Sequence, residues 1–345
     1  MGLKKFGYYG LALAAGGAVT MSVLRSRRRV DLNDRVVFIT GGSRGLGLLL
    51  AQRFIDEGAR VAFCARNGRE VERARQQLSF GGATVFGYVC DVSRREEVEA
   101  TIQRVEADLG PIEVLVNNAG TITLGPVESM TVEDFEREMS VHFFGQLYTT
   151  MAIAPGMRER KWGRIVNISS IGGRFNTPHL AAYNAAKFAS AGLSQSMRVE
   201  LSKYNIYTTT VFPFLMRVGS FINADVKGQH KKEWAIGQLM DSLPFTSTTG
   251  ERTAEAIIEA AKWGDATLVP SKRASATVLF ANVFPNLFQD LMALANRFMP
   301  APDGPESLGL GSKKGYESTS ILAPSPLTAK NDEAAIKNNE LQGAV

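Results

Sequence analysis

The chain has 345 residues, of which 45% are hydrophobic and 21% are charged. This profile is typical of a globular protein with a full hydrophobic core, and it excludes a chain that is disordered throughout and a membrane protein with many spans. The only two cysteines, Cys64 and Cys90, are too few for a disulfide framework or a zinc site, so we expect a reducing compartment and no metal.

The positive charge is concentrated at the start of the chain. The formal net charge is +5, but residues 1–29 carry six basic side chains and no acidic one, which leaves −1 for the remainder. A nucleic-acid-binding protein needs a basic surface on its folded part, so a nucleic-acid partner is excluded.

An uncharged apolar segment at 6–24 is followed directly by an arginine-rich run at 25–29. Its 19 residues are just enough to span a bilayer as a helix, although four glycines weaken the hydrophobicity. An interfacial helix, a cleaved signal peptide and a floppy or amphipathic leader are the alternatives. The arginines favour a retained anchor over 1–29, and the positive-inside rule then places the rest of this membrane-associated chain on the cytoplasmic side.

Residues 30–270 alternate short β-branched runs with longer helical patterns. Such alternation predicts an α/β fold, a single doubly wound, Rossmann-type domain whose parallel sheet has helices on both faces. The predicted strands are 35–40, 60–65, 84–90, 113–117, 164–169 and 206–212. The predicted helices are 45–58, 68–79, 94–109, 131–160 and 181–203.

The first predicted strand runs into a glycine-rich turn and then an apolar helix. The turn reads Thr40-Gly41-Gly42-Ser43-Arg44-Gly45-Leu46-Gly47. Glycines allow the backbone to approach a pyrophosphate, and the helix N-terminus offers free N–H groups, so we predict a dinucleotide site. An ordinary tight turn is the alternative.

The second predicted strand indicates which dinucleotide binds. It ends in residues 64–67, Cys-Ala-Arg-Asn, without the acid that would bind the ribose 2′-hydroxyl of NAD. Arg44 and Arg66 could instead hold a 2′-phosphate, although each alone could be a solvated surface residue. We therefore predict NADP(H). Asp91-Val92 and the run 117–120 follow the next two strands, at the sheet edge where such folds bind ligands.

Tyr183 and Lys187 lie four residues apart on one face of a predicted helix. A nearby ammonium group stabilises a phenolate, so we expect the pKa of Tyr183 to fall from about 10 towards the working pH. Tyr183 would then act as a general acid on a ketone and as a general base on an alcohol. Ser170 follows a strand and could hydrogen-bond the reacting oxygen, whereas Ser169 is expected to be structural.

Together these residues resemble the short-chain dehydrogenase/reductase superfamily over residues 34 to about 270. The resemblance rests on the order and spacing of TGGSRGLG, CDV, NNAG, ISS, YNAAK and the proline after Phe212. It implies that Tyr183 is the acid/base, that Lys187 binds the nicotinamide ribose and that Ser170 orients the substrate. It also implies that Asp91 contacts adenine, that Asn118 lies along the cofactor and that the protein is a homo-oligomer. The predicted cofactor-binding residues are Thr40, Gly41, Ser43, Arg44, Gly45, Leu46, Gly47, Arg66, Asn67, Asp91, Val92, Asn118, Ala119, Gly120, Tyr183, Lys187 and Pro213.

Three positions depart from the pattern of this superfamily. His142 stands where the family has an asparagine that supports the proton relay, and Phe214 and Val218 replace the usual glycine and threonine. Imidazole exchanges protons near neutral pH, so we predict that His142 is catalytic; slowed turnover is the other outcome. The alternative function is a catalytically impaired cofactor-binding scaffold or sensor.

The C-terminal part of the chain suggests the substrate. In the superfamily that this chain resembles, the segment after the sixth strand closes over the substrate; here it is 214–250, which we call the lid. The lid is rich in apolar residues, which predicts a hydrophobic, lipid-like carbonyl or alcohol substrate unless these residues form the lid's own core. His179 could line the substrate pocket or be an ordinary loop residue. Residues 271–300 form a predicted amphipathic helix that packs on the domain or on lipid. We expect residues 301–345 to be a disordered tail.

Overall fold

The computed structural model describes residues 22–302 and 311–341. The predicted apolar anchor segment therefore lies almost entirely outside the described residues. Within the described part of the chain, no single helix is long and apolar enough to cross a bilayer.

A seven-stranded parallel sheet forms the centre of the domain. The strands of the described chain are β1 (Val36–Thr40), β2 (Arg60–Ala65), β3 (Val85–Val89), β4 (Val114–Asn117), β5 (Thr123–Leu124), β6 (Gly163–Ile168), β7 (Ile206–Val211), β8 (Met216–Arg217), β9 (Asp225–Val226), β10 (Thr248–Thr249), β11 (Thr267–Leu268) and β12 (Lys313–Lys314). The central sheet has the order β11-β7-β6-β4-β1-β2-β3, and each neighbouring pair is parallel. This confirms the predicted sheet. The strand order reverses between β1 and β4, where doubly wound folds open a ligand crevice.

Helices cover both faces of this sheet. They are α1 (Gly45–Asp56), α2 (Gly68–Leu78), α3 (Arg95–Leu109), α4 (Val132–Met139), α5 (Gly145–Glu159), α6 (Ala181–Leu201), α7 (His230–Ser242), α8 (Gly250–Trp263), α9 (Lys272–Val283), α10 (Pro285–Asn296) and α11 (Ala329–Lys337). Apolar side chains of α1, α2 and α8 form a buried cluster on one face, and those of α3, α5 and α6 form another on the opposite face. The near-continuous apolar strands are therefore buried on both sides, as a parallel sheet requires.

The long helix predicted over 131–160 is interrupted. A wide π-helical turn, Ser140–Phe144, separates α4 from α5 and carries His142 at its centre. The turn contains neither glycine nor proline, so the sequence gives no sign of it. Such turns often occur at functional sites, because the extra residue redirects a side chain.

The single helix predicted over 271–300 is two helices. Pro285 begins α10, and α9 and α10 meet at an angle of 115°. Proline is favoured at the first position of a helix and cannot continue the preceding one, which accounts for the break.

The disorder predicted for the tail is wrong over residues 311–341. There β12 pairs antiparallel with β9, which also pairs with β5 in a small three-stranded sheet. Polar side chains hold this segment in place: Asn331 accepts a hydrogen bond from the backbone of Gly219, and Asn338 donates one to Val218. The lack of apolar periodicity therefore does not indicate disorder here, because polar contacts fix the tail.

Candidate functional site

A cavity of about 880 Å³ runs along the carboxyl ends of the central strands. Its volume lies in the range of cofactor and ligand pockets. The predicted site residues that line it are Gly41, Ser43, Arg44, Gly45, Leu46, Arg66, Asn67, Asp91, Val92, Asn118, Ala119, Gly120, His142, Ser170, Tyr183, Lys187 and Pro213. Thr40 and Gly47 do not line it.

Thr40 and Gly47 instead shape the glycine turn. Gly41 has a φ of +65°, and a Cβ atom on Gly47 would stand 2.0 Å from the Gly41 carbonyl oxygen. The Asn118 side chain donates hydrogen bonds to the carbonyl oxygens of Thr40 and Gly41, at 3.2 and 3.0 Å. The glycines of the turn thus expose its backbone to the cavity, and the turn is tied to the end of β4. A pyrophosphate fits such a cradle, because the backbone can approach it closely.

The two arginines predicted to bind a 2′-phosphate have different surroundings. Arg66 is exposed at the edge of the cavity, whereas Arg44 lies near two carboxylates, 3.8 Å from Glu70 and 3.4 Å from Glu340. The end of β2 carries no acidic side chain, but Glu70 and Glu340 bring two carboxylates to this end of the cavity from elsewhere in the chain. The sequence prediction did not include these two residues. Glu70 faces the cavity from the first turn of α2, and Glu340 reaches it from the C-terminal tail.

Two further polar side chains at the cavity edge are held by their own neighbours. Asn67 caps α2 by accepting a hydrogen bond from Arg69 N at 3.0 Å. Asp91 accepts hydrogen bonds from the backbone and the hydroxyl of Ser93, at 3.0 and 2.7 Å. Both are thereby fixed in orientation at the ends of β2 and β3.

Tyr183, Lys187 and Ser170 meet at one wall of the cavity. Lys187 is 4% exposed; its Nζ lies 5.5 Å from the centre of the Tyr183 ring and donates to the Ile168 carbonyl at 3.0 Å. The Ser170 hydroxyl is hydrogen-bonded to Tyr183 and accepts from Gly172 N at 3.1 Å. Ser169 is structural, as expected, since its hydroxyl donates to the Lys187 carbonyl.

The pKa values at this wall are governed by burial. Burial raises the pKa of Tyr183 to about 12, although the hydrogen bond from Ser170 acts in the opposite direction. Burial lowers the pKa of Lys187 to about 7. The expected fall in the tyrosine pKa is therefore wrong, because burial disfavours the phenolate and also the lysine charge that would stabilise it.

His142 lies beside Tyr183 and is held by a carboxylate. Its ring meets the Tyr183 ring edge to face at 5.5 Å, and its Nε2 lies 2.9 Å from the Thr121 carbonyl and 3.1 Å from Glu138. The Thr121 backbone N–H also points at Nε2, at 3.4 Å, but the two acceptors are nearer. They favour a hydrogen on Nε2, which leaves Nδ1 as the basic nitrogen of the neutral ring. Burial lowers the pKa of His142 and the charge of Lys187 lowers it further, while Glu138 opposes both effects.

Glu138 is a site residue that the sequence prediction missed. It is fully buried, and its carboxylate accepts hydrogen bonds from the hydroxyls of Thr123 and Thr121, at 2.7 and 3.1 Å. Burial alone would raise its pKa, but the contact with His142 and these hydroxyls lower it. Its position four residues before His142 on a helical pattern was the available signal.

The lid segment has both a core and a cavity face. Trp234 is only 2% exposed and packs within the lid, whereas Phe214, Met216 and Phe221 line the cavity. Phe214 also packs against the buried cluster of α9 and α10, which explains how the bulky side chain is accommodated.

The sequence analysis also considered Val218 and His179, and the structure places them differently. Val218, 2% exposed, lies at the cavity wall. His179 does not line the cavity; its Nδ1 lies 2.7 Å from Glu233 of α7. His179 is thus a loop residue that ties the segment before Tyr183 to the lid.

Comparisons with known proteins agree with this architecture. The short chain dehydrogenase family model matches residues 35–227. A dehydrogenase/reductase SDR family protein 7-like from Anopheles gambiae is 36% identical over 62% of this chain and 70% of its own length. A 3-ketodihydrosphingosine reductase from Mus musculus is 34% identical over 59% and 65%. A 2-(S)-hydroxypropyl-CoM dehydrogenase 3 from Xanthobacter autotrophicus is 32% identical over 66% and 89%.

The fold is also found among solved structures. A short-chain dehydrogenase from Streptomyces avermitilis superposes with a TM-score of 0.65 and 24% identity, over 76% of this chain and 97% of that one. At this identity the likeness concerns the fold alone. The family match covers more than half of the chain, from the first strand through the lid strand β9. This chain therefore belongs to the short-chain dehydrogenase/reductase family of oxidoreductases, which act on CH–OH groups.

Proposed function

We propose that this protein interconverts a carbonyl and an alcohol on a hydrophobic, lipid-like substrate, with NADP(H) as the hydride carrier. The observation that carries the proposal is that Ser170, Tyr183 and Lys187 share one cavity with the glycine turn. Residues of the turn would hold the cofactor phosphates, and Lys187 would hold the nicotinamide ribose.

Each polar group at the wall has a part in the chemistry. A bound nicotinamide would supply or accept the hydride. In reduction the Tyr183 hydroxyl donates its proton to the substrate oxygen, and in oxidation the phenolate takes that proton back. The Ser170 hydroxyl donates a hydrogen bond to the same oxygen, and the charge of Lys187 stabilises the phenolate. His142 lies beside Tyr183 and would exchange protons through its Nδ1.

The preference for NADP(H) is supported by Arg66, which is exposed at the cavity edge after β2. A forked guanidinium suits a 2′-phosphate, and such a charged hydrogen bond contributes about 1.5–3 kcal/mol, or roughly 10- to 100-fold in affinity. We expect Arg66→Ala to weaken NADPH binding by that factor and to leave NADH binding unchanged, as followed by nicotinamide fluorescence. Arg69→Ala, an exposed arginine on α2 that does not line the cavity, is the control. Equal losses for both dinucleotides would contradict the assignment.

The apolar substrate class is supported by Phe214, Met216 and Phe221 on the cavity wall. A relative named as a reductase of 3-ketodihydrosphingosine, a long-chain ketone, fits this wall. The test is NADPH oxidation with 3-ketodihydrosphingosine and with acetone. We expect turnover of the long-chain ketone only, abolished by Tyr183→Phe and retained by Tyr204→Phe, which lies outside the cavity. Undiminished turnover in Tyr183→Phe would contradict the mechanism, and cofactor binding without turnover of any ketone would favour the scaffold alternative.

Membrane association, with the catalytic domain on the cytoplasmic side, is part of the same proposal. One side of the α9–α10 pair packs on the domain through Ala274, Val278, Ala281 and Phe288. The other side is apolar and exposed: Leu279, Val283, Phe284, Leu287, Leu291, Leu294 and Phe298 are between 42% and 81% accessible. The exposed Lys272, Arg273 and Arg297 flank it, which suits anionic lipid headgroups.

Vesicle sedimentation tests this surface. We expect the protein to bind phosphatidylcholine vesicles that contain phosphatidylglycerol, and Leu287→Ser with Leu291→Ser to reduce binding at an unchanged melting temperature. Val199→Ser, an exposed apolar residue on α6, is the control. Equal binding by all forms would contradict a role for α9 and α10.

A further inference from the structure

The tail reaches back to the glycine turn, occupies one of its backbone hydrogen-bond donors and also bonds one of its carbonyl oxygens. The backbone N–H of Gly45, at the start of α1, donates to the Asn338 carbonyl at 2.9 Å. The Asn339 side chain donates to the Ser43 carbonyl, also at 2.9 Å. Donors at a helix N-terminus are those that a dinucleotide-binding turn offers to phosphate.

A carboxyl group stands beside the Gly45 N–H. Glu340 is 2% exposed, and its carboxylate lies 3.4 Å from Arg44 Nε and accepts a hydrogen bond from the Asn223 side chain at 2.7 Å. A Cβ atom added to Gly45 would meet Glu340 Oε1 at 2.3 Å. The protein therefore places a carboxyl group of its own at the positive end of α1, next to the arginine of the turn; burial raises the pKa of Glu340 to about 7, while Arg44 acts in the opposite direction.

The tail is fixed to the lid and does not rest loosely in the cavity. Asn331 accepts a hydrogen bond from Gly219 N and donates one to Gln238 of α7, both at 3.0 Å. Asn223, which holds the Glu340 carboxylate, also donates to the Glu340 backbone carbonyl at 2.9 Å. The placement of Glu340 thus depends on lid residues on several sides.

A dinucleotide phosphate would require the Gly45 N–H and the Arg44 guanidinium. Two anions brought into one buried site repel each other, and the occupied Gly45 N–H cannot serve both the tail and a phosphate. We propose that Glu340 is an affinity-determining residue of the cofactor site: its carboxylate holds the anion position at Gly45 and Arg44 and leaves it when a dinucleotide phosphate binds. This inference rests on the proposed function, because it presupposes that the turn binds a dinucleotide.

The test is direct NADPH binding by the full chain, followed by nicotinamide fluorescence. Glu340→Gln removes the charge and keeps the shape, and we expect its Kd to be lower than that of the wild type by about fivefold or more, a typical coupling between competing contacts. Glu333→Gln, at an exposed glutamate on the tail helix α11, should leave the Kd unchanged. An equal or higher Kd for Glu340→Gln overturns the inference and leaves the proposed function intact. Absence of NADPH and NADH binding in every form overturns both.

Hydrogen exchange on the wild type provides a second measurement that needs no variant. With saturating NADPH we expect the turn over residues 41–47 to become more protected and residues 335–341 to exchange faster, because the tail has been displaced. Increased protection of the tail would mean that Glu340 stays and contacts the bound cofactor, which overturns the inference.

Discussion

Lys187→Met tests whether burying this lysine beside Tyr183 lowers the stability of the protein. The pKa of this lysine is lowered from 10.5 to about 7 by burial. Because the folded-state pKa lies below the unfolded one, folding disfavours the charged form. The penalty is complete below pH 7, falls as the pH rises and is absent above about pH 10.5. At 1.36 kcal/mol per pKa unit, the penalty is about 4 kcal/mol at pH 7, where Lys187 is uncharged in half of the folded molecules. At pH 9 it is about 2 kcal/mol.

Methionine removes this penalty but loses one hydrogen bond. The Lys187 ammonium donates to the Ile168 carbonyl, and leaving that carbonyl unpaired costs about 1–3 kcal/mol. We therefore expect the variant to be more stable than the wild type by about 2 kcal/mol at pH 7 and nearly equal to it at pH 9.

Urea unfolding at the two pH values measures this difference, since equal m-values allow the free energies of unfolding to be compared. Lys231→Met, an exposed lysine on α7, should change the free energy little at either pH. A Lys187→Met protein that is less stable than the wild type at pH 7, or a difference that does not change with pH, would refute the reasoning.

Two further predictions concern the turn and the relay. Gly47→Ala forces a Cβ against the Gly41 carbonyl oxygen, so we expect it to destabilise the protein by about 2 kcal/mol and to abolish NADPH binding, whereas Gly192→Ala, with open space around it, should stabilise by about 1 kcal/mol in urea unfolding. Glu138→Gln removes the charge that supports a protonated His142, so we expect kcat to fall by about tenfold or more and the NADPH Kd to stay constant. A kcat within twofold of the wild type would assign Glu138 a purely structural role.

The sequence predicted the central sheet well because parallel strands buried on both faces are continuous apolar runs. The runs at 35–40 and 164–169 needed no tertiary information to be found. The turn at 140–144 could not be predicted in this way, since it breaks a helical pattern without glycine or proline. The local pattern at His142 therefore indicated a continuous helix. Only the three-dimensional structure shows that His142 lies on a π-helical turn between α4 and α5.

Predicting the cofactor end of the cavity required long-range contacts. Arg44 and Arg66 were found from their positions after strands. Glu70 lies on a helix that the sequence predicted correctly, yet its direction towards Arg44 depends on how α2 packs. Glu340 approaches Arg44 across almost 300 residues of chain, and its polar surroundings resemble those of a disordered segment. Composition predicts disorder where a segment has few apolar residues to bury. Here hydrogen bonds of side-chain amides hold the segment in place instead.

The strand β9 is the middle strand of the small sheet, with β5 on one edge and β12 on the other. Its backbone is bound on the β5 side through Asp225 and Lys227, at 2.9 and 2.8 Å, and the preceding Ala224 accepts from Gly315 of the tail at 3.0 Å. A lid joined on both edges cannot swing as an independent flap, because any opening breaks backbone pairs at once with the loop after β4 and with the tail. We therefore expect product release to follow a slow collective motion, on the microsecond-to-millisecond scale, and to set the turnover rate more than hydride transfer does.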